Sequence, residues 1–281
     1  TPEGVAGGGL QLLNHGLSLD GEALRLRDPE ALVGRRVLCH REVTSTSAVA
    51  AALAASGELE GTVVLAERQT AGRGRLGRTW ASPPGLGLWF SAILRPPIPA
   101  SRAPVLTQVA AVAVAEGVEE VAGRLPGGIK WPNDLILAGW KVAGILTEMV
   151  ARGEEVAAVI LGVGLNVNQG PADFPPDLGG RAGSLAMAAG RRIPRADLFR
   201  ALLRRLDSRY REFLAAGPAP ALAEAAARSL TLGHPVRVRE GEAELSGVAF
   251  RLEADGGLAL RLQDGQLRRL VAGEVTLLLE T

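Results

Sequence analysis

The feature that most constrains this chain is a change of hydrophobic period near residue 232. Before it, apolar segments with helical spacing alternate with short β-branched runs. After it only short alternating runs remain, separated by Glu240-Gly241, Asp255-Gly256-Gly257 and Asp264-Gly265. Strands interleaved with helices build a sheet covered by helices, whereas evenly spaced short strands with Gly turns build a small antiparallel barrel. Two folded units are therefore expected, over 35–231 and 232–281, preceded by an N-terminal segment over 1–34.

Within the larger unit the pattern predicts strands at 37–43, 62–66, 88–94, 129–131, 135–137, 141–149 and 156–167. Helices are predicted from the cap residues Thr44-Ser45-Thr46-Ser47 to about 56, over 101–123 and over 195–216, with a short Ala-rich helix ending near 230. In the N-terminal segment, apolar and polar residues alternate on both sides of Asp20-Gly21, which reads as a β-hairpin. A first residue of Thr fits a processed or truncated start.

Charge and composition remove several function classes. With 31 Lys+Arg against 30 Asp+Glu, the formal charge is +1, unlike the large basic surplus of most nucleic-acid or membrane-surface binders. A single cysteine, Cys39, excludes a disulfide scaffold or Cys-cluster metal site, and the distant His15, His40 and His234 argue against a His-rich zinc centre. No apolar run reaches the ~18 residues of a membrane span. The Gly-rich start lacks the basic region of a signal peptide, so a cytoplasmic protein is expected. All but two of the 31 basic residues are arginine; the exceptions, Lys130 and Lys141, lie close together in one segment. A guanidinium fork cannot replace a compact ammonium, so these two lysines mark a candidate site.

Four segments could carry chemistry. Gln69 to Arg78 contains Gly72, Gly74 and Gly77 in G-x-G-x-x-G spacing, but loop sequence follows it and not a helix. A dinucleotide site is therefore disfavoured, and a loop whose amides and arginines wrap an anion is the better reading. In Lys130-Trp131-Pro132-Asn133-Asp134, a proline inside a strand pattern displays an amide and a carboxylate at a corner. Lys141 heads a strand with Gly144 in its interior. Gly162 and Gly164 precede Asn166, and such strand glycines mark close approach of a ligand or backbone. Trp80, Trp89, Trp131 and Trp140 all fall among these motifs, which fits a pocket for a flat, partly apolar ligand.

Taken in order, these segments resemble the biotin–protein ligases, over about residues 36–281. Ser45-Thr46-Ser47, Gln69 through Arg78, Lys130 through Asp134, Lys141 through Ile145 and Gly162 through Asn166 carry the resemblance. It implies an α+β fold: a mixed-sheet catalytic domain of the class II aminoacyl-tRNA-synthetase type with a small C-terminal SH3-like barrel. It implies ATP and biotin as substrates, Mg²⁺, a biotinyl-AMP intermediate and a biotin carboxyl carrier protein as acceptor. Carried over by position, Ser45, Thr46, Ser47, Gln69, Gly72, Arg73, Trp89, Gly144, Gly162 and Gly164 would hold biotin. Arg73, Arg75, Arg78, Trp80, Lys130, Asn133, Lys141 and Asn166 would hold ATP, and Lys141, Arg75 and Asp134 would act in catalysis.

Ser47 departs from the family, which usually has asparagine there. Family members that also repress transcription carry a longer N-terminal winged helix. The 34 residues here, with a hairpin resembling the wing, lead to no expectation of DNA binding. A monomer or homodimer is expected. The alternatives are a lipoate–protein ligase, a biotin-responsive DNA-binding regulator and a non-catalytic biotin sensor.

Overall fold

The computed structural model describes residues 19–152, 155–178, 180–271 and 273–278. The chain opens with a one-turn helix α1 (Gly21–Leu24), followed by β1 (Val37–Val43), α2 (Thr46–Ala55), β2 (Val63–Gln69) and β3 (Gly87–Leu94). Helix α3 (Val105–Ala122) leads to β4 (Gly127–Lys130), β5 (Asp134–Leu137), β6 (Trp140–Arg152) and β7 (Glu155–Asn166). Three helices follow, α4 (Leu185–Ala189), α5 (Arg195–Ala216) and α6 (Ala219–Ala227). The C-terminal strands are β8 (Pro235–Glu240), β9 (Ala243–Leu252), β10 (Leu258–Arg261), β11 (Leu267–Leu270) and β12 (Glu274–Leu277).

Strands β1 to β7 form one sheet in the order β1-β2-β3-β7-β6-β5-β4. Only β1 and β2 run parallel; the remaining neighbours are antiparallel. One face packs on α3 and α5 through a core that includes Leu65, Phe90, Leu161, Leu165, Phe199 and Leu202. Helix α3 is buried on nearly every side because α5 lies directly on it. Gly117 permits that approach: a Cβ there would stand 2.9 Å from Leu202 Cδ2 and 3.1 Å from its Cα. The opposite face carries α2, whose Ala50 and Ala54 pack on Val64, Ile93, Ala158 and Ile160.

The C-terminal strands form a separate antiparallel sheet, β11-β10-β9-β8-β12, around Val236, Val238, Ala249, Leu258, Leu260, Leu270 and Val275. One residue of the larger unit joins this core. Trp131 is 2% exposed there, and its indole Nε1 donates to Gly256 O at 2.9 Å.

Two expectations need correction. The hairpin around Asp20-Gly21 lies partly outside the described residues, and the part that is described is α1. The Asp20 carboxylate accepts from the Glu22 amide at 3.0 Å and so caps a helix turn, a use that competes with the hairpin turn for the same dipeptide. The four tryptophans do not share one pocket. Trp131 belongs to the C-terminal core, and Trp140 packs over Gly183, where a Cβ would lie 2.6 Å from the Trp140 side chain.

Candidate active site

Residues opposite one another in a ladder point to the same face of the sheet. One such row crosses all seven strands: His40, Ala66, Trp89, Gly164, Gly144, Asp134 and Lys130. Beside it runs Ser91, Gly162 and Leu146. Both rows lie on the face that α2 covers only in part, because that helix begins at Thr46. The result is a strip of backbone, Gly144, Gly162 and Gly164, bordered by Trp89 on one side and by charged residues on the other.

At the α2 end of the strip stands a cluster of hydroxyls and one amide. Gln69 Oε1 accepts from the Thr46 amide at 2.9 Å and from Thr46 Oγ1 at 3.2 Å. Thr46 Oγ1 and Ser91 Oγ are 2.8 Å apart, and Ser47 Oγ and Ser91 Oγ 3.0 Å apart. Since Thr46 Oγ1–H is committed to Gln69, Ser91 must donate to Thr46, and Ser47 to Ser91, giving a one-way chain. Ser45 is the N-cap of α2, yet its hydroxyl makes no capping bond; it is buried and aimed by the helix start. On the far side Gln69 Nε2 donates to Ser82 Oγ at 2.9 Å.

The other end is cationic, and a β-bulge makes it so. The register of β5 on β6 shifts after Leu135↔Ala143, so Lys141, and not Val142, stands opposite Ile136. A bulge re-aims a side chain in this way. Lys141 Nζ lies 2.7 Å from Asp134 Oδ1 and 5.4 Å above the Trp80 ring. Asn133 is clamped by Ile145, donating through Nδ2 to its carbonyl at 3.0 Å, and its Oδ1 accepts from Arg75 Nη1 at 3.3 Å. Burial pulls Arg75 below the ordinary arginine pKa, an effect that Asp134 opposes.

The arginine loop spans the site and reaches the C-terminal sheet. Arg73 pairs with Glu148 on β6 at 3.1 Å. Arg75 also donates to Gly273 O at 3.3 Å, and Arg78 pairs with Glu274 of β12 at 2.5 Å. Arg239 contacts the same carboxylate at 2.7 Å, and the hydrogen bonds from both arginines hold Glu274 down at about 2. The loop tip is strained: Leu76 has φ 55°, and Gly77 follows at φ 72°.

A glycine-floored strip with a neutral hydrogen-bonding cluster at one end and cations at the other suits an elongated acid with a polar head. Comparison with known proteins agrees. The profile of the biotin/lipoate A/B protein ligase family matches residues 40–166. The chain is 38% identical to the bifunctional ligase/repressor BirA of Bacillus subtilis (strain 168) over 98% of this chain and 84% of that protein.

The chain belongs to the biotin–protein ligase family.

It is likewise 38% identical to the biotin--[acetyl-CoA-carboxylase] ligase of Mycobacterium tuberculosis, over 82% of this chain and 85% of that one. The Aquifex aeolicus biotin protein ligase, solved with biotin and ATP, superposes with a TM-score of 0.72 at 30% identity, covering 86% of this chain and 97% of its own.

Within this family member, the structure gathers most of the residues singled out from sequence. Ser45, Thr46, Ser47, Gln69, Trp89, Gly144, Gly162 and Gly164 line the strip or its hydroxyl end. Gly72 sits where the loop returns on itself: its carbonyl accepts from the Trp80 amide at 2.9 Å, and a Cβ would lie 2.5 Å from Trp80 O. Lys130, Asn133, Asp134, Lys141 and Arg75 fall at the cationic end, and the Trp80 ring reaches from beside Lys141 across Gly144 and Gly164.

Asn166 is held apart. Its amide is used at both ends, donating to Gly183 O and accepting from Gln169 Nε2, each at 3.0 Å. Arg73 and Arg78 are engaged with Glu148 and Glu274 at the loop's margins. Sequence reasoning missed Ser82, Ser91, Glu148 and Glu274. Ser91 did carry a signal, being the one hydroxyl in the apolar run of β3.

Proposed function

We propose that this chain condenses biotin with ATP to biotinyl-AMP and pyrophosphate, then transfers biotin to a lysine of a biotin carboxyl carrier protein. The observation that carries the reading is the row Trp89–Gly164–Gly144–Asp134–Lys130, which puts an apolar wall, a floor of glycines and a charged end on one line. The head group of biotin, a cyclic urea, needs donors for its carbonyl and acceptors for its N–H groups. Beside the buried Ser45 hydroxyl, Thr46, Ser47 and Gln69 supply both by exchanging the bonds they make to one another, to Ser91 and to Ser82. Trp89 walls the acyl tail, and glycines leave it room.

Chemistry belongs to the cationic end. A carboxylate oxygen attacks the α-phosphate of ATP, forming one O–P bond as the bond to pyrophosphate breaks. Two anions must approach, so charge cancellation and alignment supply most of the rate. Lys141 is the compact charge for the carboxylate and α-phosphate. Arg75 and Arg73 cover the mixed anhydride, with Arg78, Lys130 and Asn133 on the phosphates and ribose. Asp134, already bound to Lys141, is placed to orient the acceptor amine, which attacks the acyl carbon as AMP leaves.

Mg²⁺ fits this site as an ion carried by the nucleotide. Among the described residues no cluster of three or more acidic, His or Cys side chains could hold one, and Mg²⁺ commonly rests on phosphates with one or two carboxylates. Bound there it would neutralise phosphate charge.

We read the C-terminal sheet as an SH3-like barrel, the units as 35–231 and 232–281, and the protein as cytoplasmic and monomeric or homodimeric. Among the described residues no helix is long and apolar enough to cross a membrane. The repressor activity named for the Bacillus relative is not carried over. Incubation with biotin, ATP and Mg²⁺ followed by mass spectrometry tests the function, with biotinyl-AMP expected. Pyrophosphate exchange that depends on lipoate and not on biotin would replace this reading by the lipoate one.

A further inference from the structure

The acyl floor already has an occupant, the indole of Trp80. A Cβ on Gly164 would stand 2.6 Å from Trp80 Cε2 and 2.7 Å from Nε1, and one on Gly144 would stand 2.8 Å from Cζ3. The ring therefore lies directly on the two glycines. It meets Trp89 edge-on at 6.5 Å between centroids, and the Lys141 ammonium sits 5.4 Å from its centre. Its Nε1 is buried without a hydrogen-bond partner, so the seat is apolar and close-fitting but leaves one donor unsatisfied. A group seated in this way can be displaced by a ligand that fills the same floor without that defect.

A short tie runs from this ring to the head-group cluster. Trp80 O accepts from Ser82 Oγ at 3.2 Å, Ser82 Oγ accepts from Gln69 Nε2 at 2.9 Å, and Gln69 Oε1 accepts from Thr46. Ser82 is 6% exposed, so water does not readily substitute for its hydroxyl. Each proton in the tie points one way, from Gln69 toward the loop carbonyl. Any ligand that recruits Gln69 therefore acts on the backbone of the residue that fills the floor.

We propose that Trp80 is a built-in competitor for the acyl channel and that Ser82 is the positioning residue that holds it there, linking its release to engagement of Gln69 by the head group. The inference rests on the biotin reading above. Biotin then enters the fraction of molecules whose Trp80 has swung off the floor, and its apparent affinity is lowered by that fraction.

Stopped-flow mixing of the whole chain with biotin alone, followed by intrinsic tryptophan emission, tests this, because Trp89 reports from the site in every variant. For the unaltered chain the observed rate should bend to a plateau as biotin rises, the plateau being the rate of Trp80 release. In Trp80→Gly the plateau should vanish and the initial slope should rise by about tenfold, as for an open state of about 10%. Ser82→Ala should raise the plateau, and Ser82→Thr, which restores the hydroxyl, should bring it back. Should Trp80→Gly fail to fold, Trp80→Phe, a smaller ring without the N–H, should raise both slope and plateau. Equal concentration dependence in the unaltered chain and the Trp80 variants overturns the inference while leaving the ligase reading intact. Absence of any biotin binding by the unaltered chain overturns both.

Discussion

The floor of the site and its cover are held by different physics. Floor residues are fixed by strand register: Gly144, Gly162, Gly164, Trp89 and Ser91 occupy matched positions in three adjacent strands, and Trp89 and Ser91 are fully buried. Shifting any of them requires moving the sheet. The cover, residues 69–82, is held at its margins by ion pairs whose side chains are a third to a half or more exposed, and such pairs contribute little each. Geometry that must be exact is thus written in the sheet, whereas the margins of the cover rest on exposed salt bridges and Trp80 is tied inward, through Ser82.

The largest expected effect comes from filling the floor. In Gly162→Val the new Cβ would lie 2.8 Å from Ser47 Oγ, with two methyls beyond it. Adenylation measured by pyrophosphate exchange should fall by about 100-fold or more, the scale of a 1 Å misplacement, while the thermal midpoint changes by only a few degrees. Retained activity would mean that the strip is not the acyl channel.

Lys141→Arg comes next. The bulge at β6 aims a compact ammonium at Asp134, and a planar fork of equal charge cannot take its place. The adenylation rate should fall by about 100-fold, within the range for losing one aligned electrostatic donor, with biotin binding less affected. A near-normal rate would show that charge alone matters at this position, and that the cationic end is as tolerant as the cover.

These two positions also mark how far the sequence could be read. The seven strands and the longer helices of the larger unit, the strand-only texture after about 232 and Lys141 at the head of a strand with an interior glycine were legible, since each is local; the short helix α4 was not. The row from His40 to Lys130 was not: its members lie up to 124 positions apart, and only the long-range register of seven strands aligns them. The same limit hid Glu274, an ordinary residue of a surface strand until β12 is placed beside the loop. Trp131 was misread for the complementary reason. Its neighbours Lys130 and Asn133 face the site, but its own ring turns into the C-terminal core. Asp20-Gly21 failed differently, because one dipeptide serves both a hairpin turn and a helix cap.

Glu274 gives the smallest effect and the sharpest test of the contrast. Glu274→Gln should release Arg78 and Arg239, shorten retention of biotinyl-AMP by about threefold and lower stability by less than about 1 kcal/mol, as for an exposed pair. Because its folded pKa is depressed, to about 2 from an ordinary 4.5, its contribution is present above about 4.5 and is lost as pH falls toward 2. The stability gap between the unaltered chain and Glu274→Gln, read by urea titration, should stay constant from pH 8 to 5 and narrow below about 4.5. Half-molar salt should shrink it at pH 7, whereas the loss caused by Gly162→Val, being steric, should not respond to salt at all. A gap already closing between pH 7 and 5 would mean that Glu274 is not the carboxylate holding the cover, and that the loop is anchored by Arg75 on Gly273 and Asn133 instead.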